Sequence, residues 1–480
     1  MPTFTSGAGT LLLSLRKGES LVIRNLSGTE TVTGSTAARE DATVSLGSGV
    51  VVYGPQTSAT QVSITTTGAL DYSAVMGDPS PNASSELAIS SAKKILRAAL
   101  TGGLRATMAS PPAVTVGSAN AASTINSATT LAPKLLANSP LLRKVGGWTA
   151  WVSNAYLMGA GTSTGGTALS SPGAGVVFMT DAPDIDFSLR TPSSTDRFRV
   201  YVDDQLVTSA SGLLTTNGDF PYLGTAADFY YVKLAFGSSA PRKIEIRLGA
   251  TTRLVGMNYG ALYSVWRSEA GDQPLGVVIG DSYVNGTGTD HICGAWPRVM
   301  AELLGCDVFT AGGSGTGYIT TTGGIPRTYR QRVTDLSLTE RTPDFCVIAG
   351  GFNDYDKDAA ALRVEVALMI QAARAQIGPG IPIFVLNSYT GVGRVVSSSG
   401  SIASAIRSGF ADAAVSDSFF IDNLADGWID DRGKTTATTG LGNGDIYMGS
   451  DGIHPVQLGH NHIAQRAAQV IKDDLRFMTV

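Results

Sequence analysis

Histidine is scarce in this chain, four in 480 residues, so chemistry that needs an imidazole has few places to sit. Cysteine is scarcer still. Its three copies, Cys293, Cys306 and Cys346, are odd in number, which argues against a closed disulfide framework. Cys306 and Cys346 fall in or beside apolar runs, so buried thiols are expected instead. Charge is also low, with 35 Lys and Arg against 39 Asp and Glu for a net charge of −4, and no Lys/Arg block occurs. A footprint for nucleic acid or for an anionic membrane is therefore missing. No run approaches the roughly 18 apolar residues a spanning helix needs, so membrane insertion is not expected. The opening Met1-Pro-Thr-Phe-Thr-Ser-Gly lacks a basic stretch and a long apolar core. No signal peptide is expected from it, and synthesis as a soluble cytosolic protein follows. No Cys/His cluster has metal-ligand spacing, so no metal is expected; His460 and His462 are read as solvent-facing polar residues, two apart on a helix.

What is present is glycine, 57 residues, and a 43% hydrophobic fraction that is ample for several cores. The length exceeds what one core supports, so two to four domains are expected. Residues 1–77 read as short strands between glycine turns, a small all-β module. Residues 78–135 read as a helix near Ser84–Leu100 followed by a low-complexity linker, because 107–133 is mostly Ala, Ser, Thr, Val and Pro. Over 136–270 the hydrophobic period switches to two, as in Ile185–Leu189, Phe198–Val202 and Ile244–Leu248, which predicts a jelly-roll-like β-sandwich. Its aromatics Trp148, Trp151, Tyr222, Phe229, Tyr230 and Tyr231 offer surfaces for sugar rings, although core packing accounts for most of them. Residues 271–480 alternate apolar runs (Leu275–Ile279, Cys306–Ala311, Asp344–Ala349, Ile381–Leu386, Ser418–Ile421) with helical patterns, the signature of a three-layer α/β/α domain on a parallel sheet.

That last region carries the chemistry. Gly280-Asp281-Ser282 follows the first apolar run, so Ser282 sits where open α/β sheets place their reactive groups. Gly351-Phe352-Asn353-Asp354 follows the third. In Asp451-Gly452-Ile453-His454 the carboxylate three residues before the imidazole can fold back onto Nδ1 while Nε2 faces a serine. Nucleophile, base and orienting acid are the set that acyl transfer requires, so Ser282, His454 and Asp451 are the catalytic candidates. Taken singly, each motif is only a turn; the signal is that Gly280-Asp281-Ser282, Gly312-Gly313-Ser314-Gly315 and Gly351–Asp354 each follow an apolar run and so emerge at one edge of the sheet. Gly161-Thr-Ser163-Thr-Gly165 fits a nucleophile elbow by letters, but no strand precedes it and no helix follows. Gly427 to Thr435 has one residue too many for a phosphate loop.

Together these blocks resemble the SGNH (GDSL-like) hydrolase family over about 210 residues. Gly312-Gly313-Ser314-Gly315 fits the family's second block, with Thr310 where the family usually has Asn. The resemblance implies an oxyanion hole built from the backbone N–H of Ser282, that of Gly312 and the Asn353 side chain, a carboxylic ester hydrolase without cofactor, and bracing roles for Asp281 and Asp354. A β-sandwich before such a domain is similar to carbohydrate esterases, which points to an acetylated polysaccharide as substrate. Gly18-Glu-Ser-Leu-Val-Ile23 and Ala38-Arg-Glu-Asp41 resemble N-terminal modules of phage structural proteins. That implies a virion location, tail or baseplate partners through residues 1–77, and a homotrimeric tail spike deacetylating capsule or O-antigen, although no coiled-coil heptad is visible. Two alternatives follow from the same resemblance: a lipase or thioesterase, and a receptor-binding tail protein without activity.

Overall fold

The computed structural model describes residues 91–128, 133–146, 172–190, 197–208, 218–220, 228–249, 252–268, 273–323, 327–334, 342–389, 401–430 and 432–478; elsewhere it describes only the backbone of the strands and helices named below. The chain forms two compact units, one that holds residues 1–87 and one that holds the described chain from residue 88 onward except Thr342. In the first, an antiparallel sheet runs in the order Thr3–Phe4, Leu70–Met76, Glu19–Asn25, Val50–Tyr53. Two further antiparallel pairs join Gly9–Leu15 to Thr60–Thr66 and Glu30–Thr36 to Arg39–Leu46.

The second unit begins within the helix Ala83–Ala99, whose Ala92 and Ile95 are fully buried. A β-sandwich follows. One antiparallel sheet runs Trp151–Val152, Tyr156–Met158, Arg253–Tyr259, Asp184–Arg190, Phe229–Ala235, Ala113–Val116; the other runs Arg143–Val145, Ala174–Thr180, Arg242–Leu248, Arg197–Val202, Gln205–Leu206. Phe187, Leu189 and Met257 of the first sheet pack with Phe178, Val200 and Ile246 of the second in one core. The strand Ala113–Val116 corrects the expectation of a linker across 107–133. It pairs with Val232–Ala235 at the sheet edge, where backbone hydrogen bonding sets the position and only Val114 needs burial, so small side chains suffice. The following loop is pinned as well, by Ser123 donating to Asp186 at 2.7 Å and Asn126 donating to Asn258 at 2.9 Å. Tyr230 and Tyr231 are buried, and Phe229 lies under the Arg190 guanidinium. Trp148, Tyr222, the Trp151 side chain and much of Gly161–Gly165 lie outside the described residues.

The hydrolase-like region is a parallel sheet of β1 (Leu275–Gly280), β2 (Asp307–Gly312), β3 (Phe345–Ala349), β4 (Ile383–Leu386) and β5 (Ser418–Ile421). Its order is β2-β1-β3-β4-β5, every neighbour parallel. The helices are α1 (Ser282–Asn285), α2 (Trp296–Leu303), α3 (Tyr329–Thr334), α4 (Ala359–Ile377), α5 (Val396–Ala413), α6 (Gly444–Tyr447) and α7 (Gln457–Met478). The chain leaves β1 toward one edge, then returns past it to β3, so the strand order reverses beside β1. In such sheets the crevice at the carboxyl ends of the strands flanking the reversal is where ligands bind. Ser282 follows β1 directly at that place. Strands buried on both faces read as continuous apolar runs, which is why their boundaries match the sequence reading closely.

The sandwich and this domain meet over buried charge. Arg298 of α2 donates to the carbonyls of Pro172 (2.6 Å), Gly146 and Val308 (3.0 Å) and to the Thr310 hydroxyl (3.3 Å). The Gly146 N–H donates to Asp307 at 3.0 Å. Arg105 lies 2.8 Å from Glu245 and 3.8 Å from Glu302.

Candidate active site

Asp281 begins the site as the N-cap of α1. Its carboxylate accepts from the Tyr283 N–H at 3.0 Å and from the Tyr329 hydroxyl at 3.3 Å. The turn is tight because Gly280 has no side chain; a Cβ there would run into the Ala349 carbonyl oxygen of β3. Ser282 follows, 5% exposed, with its carbonyl accepting from the N–H groups of Gly286 and Thr287. Its hydroxyl is therefore presented by a backbone that the hydroxyl itself does not hold.

His454 Nε2 lies 2.9 Å from Ser282 Oγ, and His454 Nδ1 lies 2.6 Å from Asp451 Oδ2. The other Asp451 oxygen accepts from the N–H groups of Ile453 (2.9 Å) and His454 (3.0 Å). Partial burial pushes the Asp451 carboxyl up, but those N–H groups and the imidazole outweigh it and hold it below the ordinary carboxylate value. An ionised carboxylate on Nδ1 fixes the imidazole as the tautomer whose Nε2 can accept a proton. The sequence motifs, some 170 residues apart, thus close into a serine, histidine and aspartate in hydrogen-bond contact.

The flanking loops are held by a further carboxylate and an amide. Asp354 accepts from the N–H groups of Tyr318 (2.8 Å), Ile319 (3.1 Å) and Thr320 (2.9 Å), which folds the 313–320 loop onto the third block. Asn353 Nδ2 donates to the Thr316 carbonyl at 2.9 Å. Gly313 N–H donates to the Gly280 carbonyl at 3.0 Å. Gly312 lies against the nucleophile helix, where a Cβ would come within 2.6 Å of the Asn285 nitrogen.

Two features escaped the motif reading. Arg332 of α3 is completely buried and donates to the carbonyls ending β2 and β1, Ala311 at 2.7 Å and Gly280 at 2.9 Å, and to the Thr316 hydroxyl at 3.0 Å. Burial pulls its guanidinium down to about 10. A lone arginine in a polar segment reads as surface, so nothing in the sequence marks it. His460 corrects an expectation: it is fully buried rather than solvent-facing, its Nδ1 accepting from the Trp296 N–H at 3.4 Å and its Nε2 3.0 Å from the Thr287 carbonyl. Tertiary packing of α7 on α2 overrides what the polar spacing implied. All three cysteines are free and buried. Among the described residues no group of three or more His, Cys, Asp or Glu has the arrangement of a metal site, and no helix is long and apolar enough to cross a membrane.

Residues 278–462, which include Ser282, Asp451 and His454, match the GDSL-like Lipase/Acylhydrolase family. The C-terminal domain is a GDSL-like ester hydrolase. Two solved structures resemble a larger part of the chain. A salicylyl-acyltransferase, SsfX3, from a tetracycline biosynthetic pathway is 15% identical with a TM-score of 0.52, covering 69% of this chain and 95% of its own. A family two carbohydrate esterase from Clostridium thermocellum, solved in complex with cellohexaose, is 16% identical with a TM-score of 0.50, covering 69% of this chain and 98% of its own. At these identities the likeness is one of fold. No curated protein sequence matches the chain.

The GDSL-like hydrolase also holds one carboxyl out of its ordinary range. Burial pushes Asp281 up to about 6, against the pull of the Tyr283 N–H, the Tyr329 hydroxyl and Arg332. An acid whose folded value is raised favours the fold in its neutral form, and that advantage is lost as pH rises through about 6. Asp281→Asn keeps a capping oxygen and removes the titration. The variant should gain stability over wild type progressively between pH 4 and pH 7, reaching about 3 kcal/mol. Urea unfolding at pH 4 and pH 7.5 checks this, and an equal difference at both values would refute it.

Proposed function

We propose that this GDSL-like hydrolase is a serine O-acetylesterase that removes acetyl groups from a polysaccharide. The observation that carries the chemistry is the unbroken contact of Asp451, His454 and Ser282 at the mouth of the sheet. Ser282 Oγ attacks the acetyl carbonyl as His454 takes its proton; His454 then protonates the sugar alkoxide as it leaves. Water repeats the sequence on the acetyl-serine, and acetate departs. The oxyanion is received by the N–H groups of Ser282 and Gly312 and by the Asn353 amide. The Gly313 N–H is engaged by the Gly280 carbonyl, which supports Gly312 as the donor of the second block. One Asn353 N–H fixes the amide on Thr316, and the other is the one offered to the oxyanion.

The carbohydrate reading rests on the sandwich standing directly before the hydrolase, an arrangement shared with nearly the full length of the cellohexaose-bound esterase. We place the protein on a bacteriophage virion as a trimeric tail spike, held to tail or baseplate by residues 1–77 and acting on capsule or O-antigen, on the resemblance of that module to phage structural proteins.

Cutting a glycosidic bond needs two carboxylates about 5–5.5 Å or 6.5–9.5 Å apart around the scissile atom. Asp281 and Asp354 are instead engaged with backbone N–H groups. Acetylated capsule or O-antigen incubated with the protein in EDTA is expected to release free acetate while its size-exclusion profile stays unchanged. New reducing ends with the acetyl groups retained would show that the reaction is a different one.

A further inference from the structure

Tyr283, the residue after Ser282, is in contact with the third block and with the turn that carries Asp451 and His454. Its side chain is 1% exposed. The phenol hydroxyl donates to the carbonyl of Ile453, the residue immediately before His454. Its ring stacks on Tyr389 at 4.8 Å between centroids and 7° between planes, and lies 6.3 Å from Phe352 of the third block and 6.1 Å from the His454 imidazole.

The loop bearing Asp451 and His454 belongs to no strand. Much of its hydrogen bonding is internal: Asp451 to the N–H groups of Ile453 and His454, and the Gly449 N–H to the His454 carbonyl. Such bonds fix the shape of the loop but not its distance from Ser282. Beyond the loop, α7 is tied to the chain before α2 through Gln457, which donates to the Gly294 carbonyl at 3.0 Å, and through His460. The phenol bond acts at Ile453 itself, one residue from the imidazole, and starts one residue from the nucleophile. It therefore joins the two reacting partners by the shortest covalent route on each side.

We propose that Tyr283 is a positioning residue for the esterase reaction, its hydroxyl setting the distance between the His454 imidazole and Ser282 Oγ. This rests on the esterase reading above. Loss of the hydroxyl leaves the ring stack in place and lets the loop drift, and displacements of about 1 Å at reacting atoms cost up to about 10²-fold in rate.

Tyr283→Phe is the test, with an activated acetate ester as substrate. The expected result is a kcat lower by about 10- to 100-fold with KM within about twofold. On a His454→Ala background the same change should have no further effect, because the group being positioned is gone. Proton NMR of the folded protein supplies a second measurement: the low-field resonance of the His454 Nδ1 proton shared with Asp451 should broaden or shift in Tyr283→Phe. Full activity in the variant, an equal fractional loss in both backgrounds, or a change in KM alone would overturn the proposal. If wild type hydrolysed no ester at all, the esterase reading would fail, while an unaltered Nδ1 resonance in the variant would separately overturn the role of Tyr283.

Discussion

Replacing Ser282 with alanine is expected to lower kcat by roughly 10⁴- to 10⁶-fold and to leave the far-ultraviolet circular dichroism and the melting temperature close to wild type. The reason lies in how the residue is held. The Ser282 carbonyl accepts from Gly286 and Thr287, and the helix it opens is capped by Asp281. None of those bonds uses the side-chain oxygen, whose partner is His454 Nε2 at 2.9 Å. Removing the oxygen deletes the nucleophile and spares the scaffold. Retention of more than a tenth of wild-type activity would assign the nucleophile elsewhere.

Asp451→Asn should cost about 10⁴-fold in kcat, through the tautomer rather than through the fold. The carboxylate accepts the Nδ1 proton at 2.6 Å and leaves Nε2 as the acceptor toward Ser282. An asparagine can keep one oxygen on the N–H groups of Ile453 and His454, and its amide nitrogen then faces Nδ1 as a donor. The imidazole must turn its proton to Nε2, where it can no longer take one from serine. Turnover measured alongside thermal melting separates this from unfolding, and a loss below tenfold would show that Asp451 does not govern the tautomer.

The parallel sheet and the candidate site were legible because their parts carry local signatures. Strands β1 (Leu-Gly-Val-Val-Ile-Gly) and β3 (Phe-Cys-Val-Ile-Ala) are apolar runs, buried save for Leu275, and Asp451 and His454 sit three residues apart in one turn. What stayed hidden depends on partners distant in the chain. Arg332 looks like any surface arginine until the ends of β1 and β2 supply its acceptors. The strand Ala113–Val116 takes its place from the backbone of Phe229–Ala235, so its bland composition says nothing. His460 is polar in sequence and interior in space because α7 packs along α2. Tyr283 reads simply as the residue after the serine, and only the fold brings the Ile453 carbonyl to its hydroxyl.

The charge buried where sandwich and hydrolase meet bears on how such a gene can be rearranged. Arg298 belongs to the hydrolase, yet the Gly146 and Pro172 carbonyls that satisfy it come from the sandwich, and the hydrolase's Asp307 in turn accepts from Gly146. Cutting the reading frame near residue 270 would take from Arg298 the Gly146 and Pro172 carbonyls and from Asp307 the Gly146 N–H, and would open an interface built around these charges to water. The two halves are therefore expected to fold best when they are kept together. Recombination that moves this hydrolase onto another scaffold is expected to need the chain from about residue 88 with it, because Ala92 and Ile95 pack into the hydrolase core and Lys94 pairs with Asp344, whereas residues 1–77 supply none of these partners.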